Sequence, residues 1–237
     1  MITENNNLAA TSAHDVAARR LWLVVAISLF VIIADQIFKI WVKTSFYLGE
    51  DLPITGWWHL KFIENNGMAF GLELWNKIFL TAGRIAAVVL FIWFLLKIRK
   101  AEGLRTGFFV AVAMIIAGAA GNIFDCVFYG RIFNDPMPPQ IAVMFPEGGG
   151  YAGWFEGRVV DMLYFPLFSF YWPDWIPFVG GSYFEFFQFI FYIADSSICI
   201  GVALLIIFYS NDASRAFHYI GDETEKNKER SRKSKMK

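Results

Sequence analysis

Four aspartates sit where an apolar chain does not normally carry charge. Asp35, Asp125 and Asp195 each interrupt or border a long apolar run, and Asp161 follows a Val159–Val160 pair. An ionisable group inside a bilayer is costly, so each marks a candidate functional position. Two carboxyls sharing a low-dielectric site cannot both ionise cheaply, and one keeps its proton. The protonated partner can then polarise a carbonyl oxygen while the ionised one takes a proton from water. That is aspartic-peptidase chemistry, and it needs no metal or cofactor. The residue types alone leave open which two of the four form the pair. A proton or ion pathway would use similar residues.

Neighbouring polar groups share helix faces with these acids. Asp35 and Lys39 are spaced i,i+4 and can form an ion pair. Asn122 and Asp125 are spaced i,i+3, after a run of small residues (Gly118 to Gly121) that permits close helix approach. Arg84, early in an apolar run, either pairs with one of the acids or snorkels outward. His59 stands alone beside two tryptophans and reads as an interfacial side chain. Cys126 and Cys199 lie in apolar segments and read as small packing residues rather than a disulfide or zinc pair. No spacing suggests a metal site, and no Ser/His/Asp set stands out.

The elements that must position these groups are membrane spans. The chain is 57% hydrophobic and only 18% charged, and its mean hydropathy is +0.45. Soluble domains carry about a quarter charged residues. Four stretches reach the roughly 20 residues that a span needs: about 21–42, 78–96, 106–128 and 186–209. The first lacks a signal-peptide cleavage pattern and is read as a retained helix. Lys and Arg gather before the first span, between the second and third, and after the fourth, which predicts cytoplasmic termini. The chain then divides into a tail at 1–20, a four-helix domain at 21–210 and a basic tail at 211–237, disordered beyond Asp222. Its outer segments lie at about 44–77 and 129–185. At about 1.5 Å rise per residue, Asp35, Asp125 and Asp195 all fall in the outer third of the bilayer.

The outer segments differ in character. Residues 54–63 nearly alternate and are aromatic-rich, which predicts one or two strands lying on the membrane. Asn65-Asn66-Gly67 reads as a turn. The second outer segment is rich in Pro, Gly, Trp and Tyr and is expected to rest on the outer leaflet. Net charge is zero, and no nucleic-acid partner is expected.

Taken in order, these residues resemble the bacterial lipoprotein signal peptidase (signal peptidase II) family. Asp35 to Lys39 is similar to its D-x-x-x-K motif, and Asn65 to Gly71 to its N-x-G-x-A-F motif. Gly121 to Asp125 matches G-N-x-x-D, Val159 to Asp161 matches V-V-D, and Ala194-Asp195 ends its F-N-x-A-D motif. The resemblance implies an all-α membrane protein of four transmembrane helices with a small extracytoplasmic β-cradle, here with inserted outer loops. It implies an aspartic endopeptidase of the bacterial inner membrane, with Asp161 and Asp195 as the catalytic dyad. Asp35, Lys39, Asn65, Gly67, Asn122 and Asp125 would shape the site or hold substrate. The reaction implied is removal of the signal peptide of a prolipoprotein just before its diacylglyceryl-modified cysteine. Membrane lipid and globomycin-type cyclic peptide inhibitors are the implied partners.

Three departures from the family pattern carry expectations of their own. Many members have Arg after the third-helix Asp, where this chain has Cys126; Arg84 or Arg158 is then expected to supply the cation for Asp125. The Asn three residues before the last Asp is Tyr192 here, which can hydrogen-bond through its hydroxyl, and Gln188 is another substitute. Stretches at about 131–156 and 170–187 read as insertions and are expected to form a lid or partner surface, or a passive loop. The alternatives from other classes are a small transporter or proton-conducting protein, and a non-catalytic scaffold built on the peptidase fold.

Overall fold

The computed structural model describes residues 2–65 and 77–235, with side chains for 15–65 and 77–234. Apolar runs free of proline stay helical over spanning lengths, because nothing interrupts the i→i−4 ladder. They form α1 (Ile2–Lys43), α2 (Lys77–Ile98) and α3 (Thr106–Phe124). A π-helical turn (Asp125–Tyr129) and a short α4 (Gly130–Ile132) continue α3. The last helices are α5 (Ile193–Phe208) and α6 (Ser210–Lys235), bent by 86° at the break between them. Among the described residues, three helices are long and apolar enough to cross a membrane, or up to four if the bent pair counts as one.

Six strands accompany the helices: β1 (Asp51–Thr55), β2 (Trp58–Asn65), β3 (Val159–Tyr164), β4 (Phe168–Tyr171), β5 (Tyr183–Phe186) and β6 (Ile190–Phe191). An antiparallel sheet has the order β1-β2-β3-β6, and β4 and β5 form a separate hairpin. The expected strand at 54–63 is thus a β1–β2 hairpin. Two expectations differ from the structure. The fourth apolar stretch was expected to be helical from 186, but helix begins only at Ile193, because Phe, Tyr and Ile suit a strand as well as a buried helix. The tail beyond Asp222, expected to be disordered, continues α6 to Lys235. Its Glu, Lys and Arg residues are strong helix formers.

The chain folds as two compact units. One comprises Met1–Ile32, Ile85–Ala120 and Ser197–Lys237. Its core packs Leu95, Ile98, Phe108, Phe109, Val112 and Ala216. Arg20 donates to the carbonyls of Arg99, Ala101 and Leu104 at 3.1, 2.7 and 2.9 Å, satisfying oxygens of the turn between α2 and α3. Asp212, at the start of α6, accepts from the Arg105 backbone and guanidinium.

The other unit comprises Ile33–Arg84 and Gly121–Ser196, and it holds both sheets. Its core is built from Val42, Phe62, Tyr129, Phe133, Val160, Met162 and Tyr192. Side chains alternate along a strand, so Val160 and Met162 enter this core while Asp161 points to the opposite face. All three are buried, as expected of a strand covered on both faces. Ile63 is the cross-strand partner of Asp161.

Candidate active site

A lone ammonium cannot be buried without partners that use its protons. Lys39 is fully buried, and its Nζ lies 3.0 Å from Asp35 Oδ2, 2.7 Å from Asp125 Oδ2 and 2.9 Å from Asn122 Oδ1. Those three contacts occupy all three of its donors. The i,i+4 and i,i+3 spacings explain why one cation meets both helix faces: Lys39 follows Asp35 by one turn, and Asn122 and Asp125 share the adjoining face of α3 and its π-helical extension.

Each remaining acceptor is tied to a different element. Asp35 Oδ1 accepts the N–H of Ala194 at 2.9 Å, in the first turn of α5. Asp125 Oδ1 accepts from Gln36 Nε2 at 2.8 Å, and its Oδ2 also faces the Val160 N–H at 3.4 Å. Tyr129 donates its hydroxyl to Gln36 Oε1 at 3.0 Å. Gly121 is required for the closeness: a Cβ there would lie 2.8 Å from Asp35 Oδ2.

Asp195 sits at the start of α5 in a capping arrangement. Its Oδ2 accepts the backbone N–H of Tyr192 at 3.1 Å, as a third-position acid does when it reaches back to the N-cap. Its Oδ1 accepts Asn122 Nδ2 at 2.9 Å. Asn122 therefore joins the Lys39 cluster to Asp195.

Asp161 has no such set of donors. Its Oδ1 is buried without a hydrogen-bond partner among the described residues. Its carboxyl lies against that of Asp195, close enough for a carboxyl–carboxyl hydrogen bond. Burial first, then the charge of Asp195, push its pKa up to about 8, while Lys39 pulls the other way. Four carboxyls thus gather around one ammonium, too little positive charge for all to ionise. The arrangement favours a neutral Asp161 carboxyl beside an Asp195 oxygen pair fixed by two N–H donors. Such a pair can present an acid and a base to one substrate atom group.

The π-helical turn fixes how β3 arrives. Single π-turns free carbonyls from the α ladder and occur often at functional sites. Gly157 N–H donates to the Cys126 carbonyl at 2.8 Å, and Phe155 N–H to the Val127 carbonyl at 3.3 Å. A Cβ at Gly157 would come within 2.0 Å of the Asp125 carbonyl. The chain returning to β3 is stitched directly onto the turn that begins with Asp125.

The structure thus brings together Asp35, Lys39, Asn122, Asp125, Asp161 and Asp195. Asn65 ends β2 opposite Val159, two residues before Asp161. Gly67 and the rest of its motif, residues 66–71, lie outside the described residues. The cation of Asp125 is Lys39, not Arg84 or Arg158. Arg84 Nη1 instead contacts Cys126 Sγ at 3.3 Å, and Arg158 pairs with Glu64 and Asp135 at 3.0 and 2.9 Å. Tyr192 contributes its backbone N–H, and its ring lies 5.9 Å from Lys39 Nζ. No hydrogen bond of its hydroxyl occurs among the described residues. Gln188 turns to the Glu185 carbonyl at 3.5 Å.

Sequence reasoning passed over Gln36 and Tyr129. A glutamine inside an apolar run, directly after Asp35, was the available signal. It also missed the buried pairing of Lys43 with Glu64, which ties the end of α1 to β2.

Comparison with known proteins gives a consistent picture. A family model described as Signal peptidase (SPase) II matches residues 27–210. A lipoprotein signal peptidase of Porphyromonas gingivalis (strain ATCC 33277) is 45% identical over 192 residues, covering 81% of this chain and 84% of its own. One from Amoebophilus asiaticus is 32% identical over 195 residues, covering 80% and 78%. A bacterial membrane enzyme solved by the in meso method aligns with a TM-score of 0.55 at 25% identity, covering 81% of this chain and 89% of the other.

Proposed function

This chain belongs to the signal peptidase II family, and from that membership we propose that it is a membrane endopeptidase removing the signal peptide of prolipoproteins. It acts as an aspartic enzyme within the bilayer, with Asp161 and Asp195 as the dyad. The observation that carries this reading is the buried Asp161 carboxyl, which lacks a partner at Oδ1 among the described residues and lies against Asp195.

In the first step, Asp195 removes a proton from water as the water oxygen attacks the scissile carbonyl carbon. Asp161 donates its proton to the carbonyl oxygen, which becomes the hydroxyl of a tetrahedral intermediate. Collapse of that intermediate breaks the C–N bond. The proton gathered by Asp195 passes to the leaving amine, and the hydroxyl proton returns to Asp161. Asn122 and the Tyr192 N–H hold Asp195 in the required orientation. Lys39, Asp35, Gln36 and Asp125 hold the surrounding elements, and Asn65 and Gly67 contact substrate.

Four spans, with both termini cytoplasmic, place the dyad toward the outer leaflet of the inner membrane. The fourth is the short α5, whose 16 residues reach about 24 Å before the bend. The β1-β2-β3-β6 sheet serves as the cradle for a substrate anchored by its signal helix and its diacylglyceryl cysteine. Globomycin-type cyclic peptides occupy the same groove.

The test mixes purified protein with a diacylglyceryl-modified prolipoprotein and follows signal-peptide release. Asp161→Asn and Asp195→Asn are expected to abolish release while remaining folded and inserted. Near-normal release by both variants would defeat the assignment.

A further inference from the structure

The segment between β3 and α5 has a composition that the peptidase chemistry does not require. From Phe165 to Tyr192, half of the residues are aromatic, and Asp174 and Glu185 are the only charged ones. The β4–β5 hairpin is its folded part, paired from Phe168↔Phe186 to Tyr171↔Tyr183. Aromatic pairs stiffen it along its length: Phe168 stacks on Phe186 at 4.9 Å, and Phe170 packs on Phe184 at 5.1 Å. The hairpin is nevertheless exposed. Phe178 at its tip is fully exposed, Trp175 is 80% exposed and Tyr171 is 70% exposed. A soluble surface does not leave apolar side chains contiguous on this scale without a partner.

The backbone of the tip is partly satisfied from within, which suits the interfacial zone, where water still reaches the remaining N–H groups. Within Trp172–Ser182, the N–H groups of Trp172, Ile176, Gly180, Gly181 and Ser182 all donate to carbonyls of the same loop. Pro173 and Pro177 have no N–H to satisfy. Glu185 accepts the hydroxyls of Tyr164 and Tyr183, so its charge is shielded by its neighbours. Phe178 adopts φ 69°, a left-handed conformation that a bulky residue adopts only when its surroundings impose it. Strain of this kind is retained where it has a use, and the ring of this residue is the fully exposed one.

We propose that the β4–β5 hairpin is a membrane wedge whose tip, Trp175 to Val179, inserts into the bilayer leaflet at the α5 end of the site. Trp and Tyr prefer this interfacial zone, and the hairpin carries both with almost no charge. Its base is also at the right place along the chain, since the apolar helix α5 starts seven residues after β5 ends. The wedge rests on the membrane character of the chain and not on the identity of the dyad. It fixes β3 and α5, the carriers of Asp161 and Asp195, against one lipid surface.

The test attaches an environment-sensitive NBD fluorophore at Phe178→Cys in a Cys199→Ser background, with Gly148→Cys as the control position. Both proteins are placed in phosphatidylcholine nanodiscs containing lipids with doxyl quenchers at a shallow or a deep acyl position. Retained prolipoprotein cleavage reports that the labelled enzyme is folded. The expected result is blue-shifted emission at position 178, quenched more by the shallow doxyl than the deep one, because an interfacial element sits roughly 5–10 Å into the headgroup boundary. Position 148 stays water-like. Water-like emission at 178 overturns the proposal. Emission that turns apolar only when lipidated substrate is added also overturns it, since the tip would then hold substrate acyl chains rather than the leaflet.

Discussion

The backbone N–H of Ala194 donates to Asp35 Oδ1 at 2.9 Å, so a carboxylate on the first helix holds the residue directly before Asp195. Asp35 thus holds the start of α5 through a contact separate from its ion pair with Lys39.

Replacing Asp35 distinguishes these roles. Asp35→Asn keeps an acceptor for Ala194, whereas Asp35→Ala removes it. Asp35→Ala is expected to lower kcat by about 100-fold, the scale of an ångström misplacement. Asp35→Asn should be several-fold milder, with KM little changed in both. Equal losses in the two variants, measured by steady-state prolipoprotein cleavage, would remove the positioning role.

Lys39→Met leaves Asp35 and Asp125 buried without their shared cation. Breaking a buried pair this way costs roughly 3–5 kcal/mol, so the variant should unfold well below the parent in a thermal scan. Adding Asp125→Asn removes one of the stranded charges and should restore part of the loss. A double variant no more stable than Lys39→Met would contradict the charge balance described for the site.

The pH dependence follows from Asp161. Its carboxyl is raised to about 8, so the neutral form predominates at neutral pH. Cleavage that needs this proton should fall as pH rises through about 8, and fall tenfold per further unit. Stability has the same sign in an earlier window: a raised carboxyl favours the fold while protonated, and that contribution is lost as pH rises from about 4, the ordinary carboxyl value, to about 8, and changes no further above it. Thermal unfolding across this window should drop for the parent and not for Asp161→Asn.

Tyr192 tests which part of the side chain matters. Tyr192→Phe keeps the buried ring facing Lys39 and the backbone N–H to Asp195, so activity should stay within about twofold, as expected of a volume-conserving change. Tyr192→Asn keeps a hydrogen-bonding side chain but empties an aromatic volume from the core. It should cost about 3 kcal/mol, read by thermal unfolding. A large activity loss in the Phe variant would return the role to the hydroxyl.

Much of the site could be read from short-range spacing, because helix geometry forces i,i+3 and i,i+4 residues onto one face. Asp35 with Lys39, and Asn122 with Asp125, are such pairs. The meeting of Lys39 with Asp125 was not readable, since it joins residues 86 positions apart and depends on how closely Gly121 lets α1 approach. The late start of α5 escaped because Phe186 to Tyr192 is apolar in either secondary structure. In the charged tail, composition favours disorder while the propensity of Glu, Lys and Arg favours helix, and sequence alone does not rank the two.

The π-helical turn at Asp125–Tyr129 sets a length constraint on the chain. A π-turn holds one residue more than the α-turn it replaces, and its freed carbonyls receive Gly157 and Phe155. Deleting a single residue between Asp125 and Tyr129 would restore the α-helical ladder and close the seam that receives the returning strand. Insertions tolerated elsewhere in the outer segments would not be tolerated at this point. The count of residues here thus matters alongside the identities of Asp125 and Tyr129.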